Sequence, residues 1–96
     1  MGSERLVRLV ITGRVQGVSF RYHTMMRARQ LGLSGYVRNL PDGSVEAVAK
    51  GEAGALADFI EFCRHGSPAS SVEGVDVSKP SEEQASGLTG KFRISR

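Results

Sequence analysis

Ser34-Gly35-Tyr36-Val37-Arg38-Asn39-Leu40, Pro41-Asp42-Gly43 and Val45-Glu46-Ala47-Val48-Ala49-Lys50 read in turn as strand, turn and strand. Tyr36 and Val37 are strand formers. In the turn, proline presets φ, aspartate tolerates the bend and glycine takes positive φ. The spacing predicts a β-hairpin. A helix is expected on each side of it. Upstream, Phe20 to Leu31 has few helix breakers and sets Met25, Ala28 and Leu31 on one face, and Gly32 can close its C-terminus. Downstream, Glu52 to His65 carries Leu56, Phe59, Ile60 and Cys63 in an i, i+3, i+4, i+7 stripe that Gly66 and Pro68 terminate. Further out, Leu6 to Thr12 alternates as a first strand, with Val7, Leu9 and Ile11 on a wholly apolar face. Val72 to Ser78 reads as a fourth strand with Val75 and Val77 on one face. Pro80 to Gly90 is polar and acidic and is expected to be a mobile surface loop. Phe92 and Ile94 point to a short final strand. The order is β-α-β-β-α-β plus a terminal strand. It predicts an α+β, ferredoxin-like split-βαβ sandwich: an antiparallel sheet with two helices on one face, as a single domain over residues 1–96.

Composition narrows the function classes. The chain has 96 residues, 40% of them apolar, which suits one globular domain. The net charge of +3 favours an anionic substrate. No dense Lys/Arg stripe accompanies it, so nucleic acid is not an expected partner. The single cysteine, Cys63, excludes an internal disulfide and a cysteine metal cluster, and a reducing, cytoplasmic location follows as the default. No apolar run approaches a membrane span, so no membrane partner is expected.

Two segments carry chemistry. Gly13-Arg14-Val15-Gln16-Gly17-Val18-Ser19-Phe20-Arg21 joins a strand to a helix N-terminus. Unpaired N–H groups and the positive end of the helix dipole favour an anion there. Gly17 lets backbone approach a ligand. A cation at Arg21, in the first helical turn, opposes the dipole by about 0.3–1 kcal/mol, and a bound dianion reverses that sign. A connecting loop followed by a solvated arginine explains the same residues equally well. The segment is neither a Walker loop, which needs lysine after its last glycine, nor a Rossmann fingerprint. In the second segment, Gly35 to Glu46, Asn39 ends a strand. Its amide offers donors and an acceptor that can orient a water. Taken alone, it is better explained as a turn residue bonding its own backbone.

Together, Gly13-Arg14-Val15-Gln16-Gly17-Val18-Ser19-Phe20-Arg21 and Gly35-Tyr36-Val37-Arg38-Asn39-Leu40-Pro41-Asp42-Gly43-Ser44-Val45-Glu46 closely resemble the paired signatures of the acylphosphatase family. The resemblance runs from the first strand to Phe92-Arg93-Ile94. It implies the same sandwich fold and the hydrolysis of a small-molecule acyl phosphate, a carboxylic–phosphoric anhydride, with no metal and no cofactor; a monomer is the default expectation. It also implies a phosphate-binding loop at Gln16, Gly17, Val18, Ser19, Phe20 and Arg21, with Asn39 positioning water. Ser19 stands where many members have glycine, and Tyr36 where tryptophan is common.

Other candidates fall to simpler readings. His23 is two residues from Arg21 and points elsewhere on a helix. His65 suits the negative end of its helix as a cap. Cys63 belongs to the apolar stripe and has no activating neighbour. Arg14 and Arg38 add positive field or are merely solvated. RNA-recognition domains share the element order, but their third strand carries stacking aromatics, and Val45 to Lys50 has none. An accessory module of hydrogenase-maturation carbamoyltransferases is a second rival, disfavoured by the short chain.

Overall fold

The computed structural model describes residues 4–95. Its elements are β1 (Glu4–Arg14), α1 (Phe20–Gln30), β2 (Ser34–Asn39), β3 (Val45–Glu52), α2 (Ala53–His65), β4 (Ser71–Ser78), a short α3 (Glu82–Ala85) and β5 (Arg93–Ile94). The strands form one sheet in the order β4-β1-β3-β2-β5. β3 runs antiparallel to both β1 and β2. β1 and β2 are therefore parallel to each other with β3 between them, which is the split βαβ arrangement.

Alternation along the strands builds one core. Leu9 and Ile11 of β1, Val37 of β2 and Val45, Ala47 and Ala49 of β3 are buried together with Phe20 and Ala28 of α1 and Leu56, Phe59 and Cys63 of α2. Both long helices thus cover the same sheet face, as the pattern predicted. On β3 this face presents only Val45, Ala47, Ala49 and Gly51, so the helices can pack close to the strand. The register pairs Asn39 with Val45 and Val37 with Ala47, so Asn39 projects on the helix side of the sheet. Arg38, paired with Glu46, projects on the other side.

Three features differ from the sequence reading or add to it. β1 continues through Gly13 and Arg14, which pair with Val72 and Ser71 after a register shift at Thr12/Gly13. Such a bulge turns a strand end toward a loop. β5 adds to the four antiparallel strands as an edge parallel to β2, through Tyr36↔Arg93 and Val37↔Ile94. The segment expected to be a loose loop is instead a folded strap. Ser81 caps α3 in a reciprocal box with Gln84, and Pro80 and Leu88 are buried. On β4, Val75 packs against the core while Val77 is 48% exposed on the open edge of the sheet.

Candidate active site

The loop between β1 and α1 is fixed at several points. Val15 is buried, and its N–H donates to the Gly13 carbonyl at 3.1 Å. Gln16 reaches the β2–β3 hairpin, where its Nε2 donates to the carbonyls of Leu40 at 2.9 Å and Ser44 at 2.8 Å. The carbonyl of Val18 accepts from the buried Ser67 hydroxyl at 3.2 Å, beyond α2. Gly17 takes a φ of 74°, and Ser19 a φ of 62°. Ser19 is the only non-glycine with positive φ among the described residues, which gives a physical reason for glycine to be favoured at this position.

α1 starts at Phe20 without a side-chain cap and with no acidic residue in its first turn. Its first amides are therefore not neutralised by the chain itself, and the positive end of the helix is available to an anion. Arg21 lies in that turn, half-buried, with no carboxylate partner among the described residues. It lines two cavities. One, of about 150 Å³, has Gly17, Ser19 and Phe20 on its wall. The other, of about 570 Å³, is lined by Arg21, Asn39, Ile94 and Ser95. Arg21 and Ile94 are common to both, so the loop cradle and the Asn39 cavity adjoin at the Arg21 side chain.

The explanation of Asn39 as a turn residue fails on the hydrogen bonds. Asp42 does that work: its Oδ1 accepts from the Ser44 N–H at 3.0 Å and the Ser44 hydroxyl at 2.5 Å. These bonds, the side-chain one first, hold the Asp42 carboxyl below its ordinary range. The backbone closes the turn from Leu40 N–H to Ser44 O, 2.8 Å, and from Gly43 N–H to Leu40 O, 3.1 Å. Asn39 takes no part. Its Oδ1 is buried without a hydrogen-bond partner among the described residues, and an unmet buried acceptor costs about 1–3 kcal/mol. An acceptor so placed, in a cavity shared with a cation, suits a donor such as water.

The site residues read from sequence are thus only partly gathered around the cavities. Gly17, Ser19, Phe20 and Arg21 line the cradle, and Asn39 lines the adjoining cavity. Gln16 and Val18 line neither; the Gln16 side chain instead ties the loop to the hairpin. Ile94 and Ser95 were not anticipated, because only the parallel pairing of β5 with β2 carries them there. His23 is structural, its Nδ1 lying 2.8 Å from the Ser19 carbonyl. His65 pairs with Glu61 at 2.7 Å rather than capping its helix, since a carboxylate one turn back is the better partner. Cys63 is buried, and burial pushes its thiol up to about 12. Arg38 contributes to the opposite sheet face, where it pairs with Glu46.

Comparison with known proteins identifies the family. The family model described as Acylphosphatase matches residues 7–94. An acylphosphatase of Rubrobacter xylanophilus is 53% identical over 88 residues, spanning 92% of this chain and 77% of that protein. The crystal structure of acylphosphatase from Bacillus subtilis superposes with a TM-score of 0.83 at 38% identity, covering 98% of this chain and 100% of that one. The structure of an acylphosphatase from Coxiella burnetii gives 0.84 at 33% identity, covering 96% and 93%.

Proposed function

The chain belongs to the acylphosphatase family and hydrolyses acyl phosphates, and we propose that Arg21 and the 16–21 amides hold the phosphate while Asn39 orients the attacking water. The observation that carries this division of labour is the shared cavity, with a half-buried arginine on one side and an amide oxygen on the other, neither with a partner among the described residues.

The chemistry needs little more. Water oxygen attacks phosphorus, the bond from phosphorus to the acyl oxygen breaks, and the electron pair leaves with the carboxylate. The conjugate acid of that leaving group has a pKa of ~4, so no general acid is required. The water proton passes to a phosphate oxygen of the substrate, and inorganic phosphate results. Phosphoryl transfer of this kind depends on positioning and on neutralising oxygen charge. The planar fork of Arg21 can take two phosphate oxygens. The uncapped amides of α1 and its loop can take the others as charge develops. Asn39 Oδ1 accepts a water hydrogen and so turns the water's lone pair toward phosphorus.

We further read the enzyme as a cytoplasmic monomer. A single buried thiol supports a reducing compartment, and one chain supplies both Arg21 and Asn39. No helix among the described residues is long and apolar enough to cross a membrane.

The test is hydrolysis of acetyl or benzoyl phosphate with chelator present. Arg21→Ala should abolish turnover, and Arg21→Lys should fail too, because a point charge lacks the two-pronged geometry. Arg21→Ala turning over at a near-normal rate would remove the arginine from the mechanism.

A further inference from the structure

The sheet face turned away from α1 and α2 holds a second polar centre, and the catalytic reading uses none of it. Glu46 is wholly buried there. Its Oε2 accepts from Arg8 Nε at 2.6 Å and Gln84 Nε2 at 3.0 Å, and its Oε1 accepts from Arg38 Nε at 2.6 Å. A carboxylate taken out of water is expensive, and one arginine would neutralise it. Two are present. Each commits its Nε to Glu46, so the Nη groups of both have no protein acceptor among the described residues. The two side chains remain 31% and 40% exposed.

Both arginines open onto a cavity of about 790 Å³, roomier than the one between Arg21 and Asn39. Lys79 and Arg93 line it as well, with Glu83 as the one carboxylate on its wall among the described residues. With Glu46 behind, four cations face two carboxylates, and the surplus is positive. The strap bounds the cavity, held in place by the bond from Gln84 to Glu46 and by the Ser81 capping box. A volume of this size falls within the ~300–1,000 Å³ range of small-molecule sites.

We infer that this cavity is a second anion site, separate from the catalytic loop, for a small molecule carrying phosphate-type negative charge on two groups, as a diphosphate does. Guanidinium forks match phosphate oxygens in pairs. Glu46 fixes the orientation of two such forks before any ligand arrives, which lowers the ordering cost of binding. Two clamped arginines and two further cations, Lys79 and Arg93, call for more than one phosphate-type group. The site shares Ser95 with the Arg21–Asn39 cavity and none of that cavity's other residues.

The test is an NMR titration of ¹⁵N-labelled Arg21→Met protein with inorganic pyrophosphate at low salt. The substitution takes out the guanidinium proposed to bind phosphate, and residue-by-residue signals separate binding at 15–21 from binding at 78–88, so the outcome does not depend on the catalytic assignment. The expected result is saturable shifts in the amides of residues 78–88 and in the Nε signals of Arg8 and Arg38. Adding Lys79→Gln and Arg93→Gln, both at exposed positions outside the Glu46 hydrogen bonds, should weaken that binding by about tenfold or more. Absence of saturable shifts at 78–88 overturns the inference. So do shifts confined to residues 15–21, or binding unchanged by the double substitution.

Discussion

Replacing Glu46 by glutamine isolates what the buried charge contributes to stability. The substitution keeps the shape and removes the charge. One amide oxygen can still accept from one arginine, but the amide NH₂ then faces a donor on the other side. Breaking a buried pair by removing one partner costs about 3–5 kcal/mol. Water reaches the partly exposed Arg8 and Arg38 and takes up part of the loss, so about 3 kcal/mol is expected. At a urea slope of ~1.5 kcal/mol per molar, the unfolding midpoint should fall by about 2 M at pH 7. The pH dependence fixes the sign. Burial pushes the Glu46 carboxyl up, but the Arg38 and Arg8 hydrogen bonds outweigh it and hold the group below its ordinary value of 4.5. The unfolded chain therefore takes up this proton first as pH falls. The stabilisation is complete above about pH 5 and drains away as pH drops through the folded value. Urea melts followed by circular dichroism from pH 7 to pH 3 should show the gap between wild type and variant closing in acid. Turnover per folded molecule should be retained, because Glu46 faces away from Asn39. A midpoint shift under about 0.5 M, or a gap that is constant with pH, would show that the buried Glu46 charge does not carry this stabilisation.

Other consequences can be checked alongside. Gln16→Ala removes both ties between the loop and the hairpin while the turn keeps its own backbone bonds; it should cost about 1–2 kcal/mol in urea melts and raise KM for acetyl phosphate by about tenfold. An unchanged KM would show that the tie does not position the loop. Gly35 has a φ of 141°, and a Cβ there would sit 1.9 Å from the Val48 carbonyl oxygen, so Gly35→Ala should cost about 4 kcal/mol or more in a thermal or urea melt. Cys63, buried and with its thiol pushed up to about 12, should react with a thiol reagent at pH 8 only as fast as the protein opens, and full labelling should require denaturant.

The parts of the fold that depend on short-range pattern were legible in the sequence. The α2 stripe of Leu56, Phe59 and Cys63 is buried as its spacing predicted, and Pro41-Asp42-Gly43 does turn the chain between β2 and β3. Long-range contacts were not legible. Nothing local announces that Gln84 will reach Glu46 across 38 residues, so a polar, acidic stretch read as loop when its buried Pro80 and Leu88 and its capping box make it a strap. The parallel landing of β5 beside β2, which brings Ile94 and Ser95 to the site, was equally hidden. At the site itself, motif and resemblance singled out Arg21 and Asn39, and each kept an ordinary structural explanation. For Asn39 the structure removes that alternative, because Asp42 holds the turn and the Asn39 oxygen is left without a partner among the described residues. Gln16 was assigned through its backbone, and its side-chain role emerges only from the two carbonyls it meets on another element.

The separation of phosphate holding from water holding is tested most directly in Asn39→Ala, by measuring kcat on acetyl phosphate together with the inhibition constant of inorganic phosphate. If Asn39 acts on the water alone, kcat should fall by about 10²-fold or more, while phosphate inhibits within about threefold of its wild-type constant. A loss of phosphate affinity that matches the loss of kcat would contradict the assignment and make Asn39 part of the phosphate cradle.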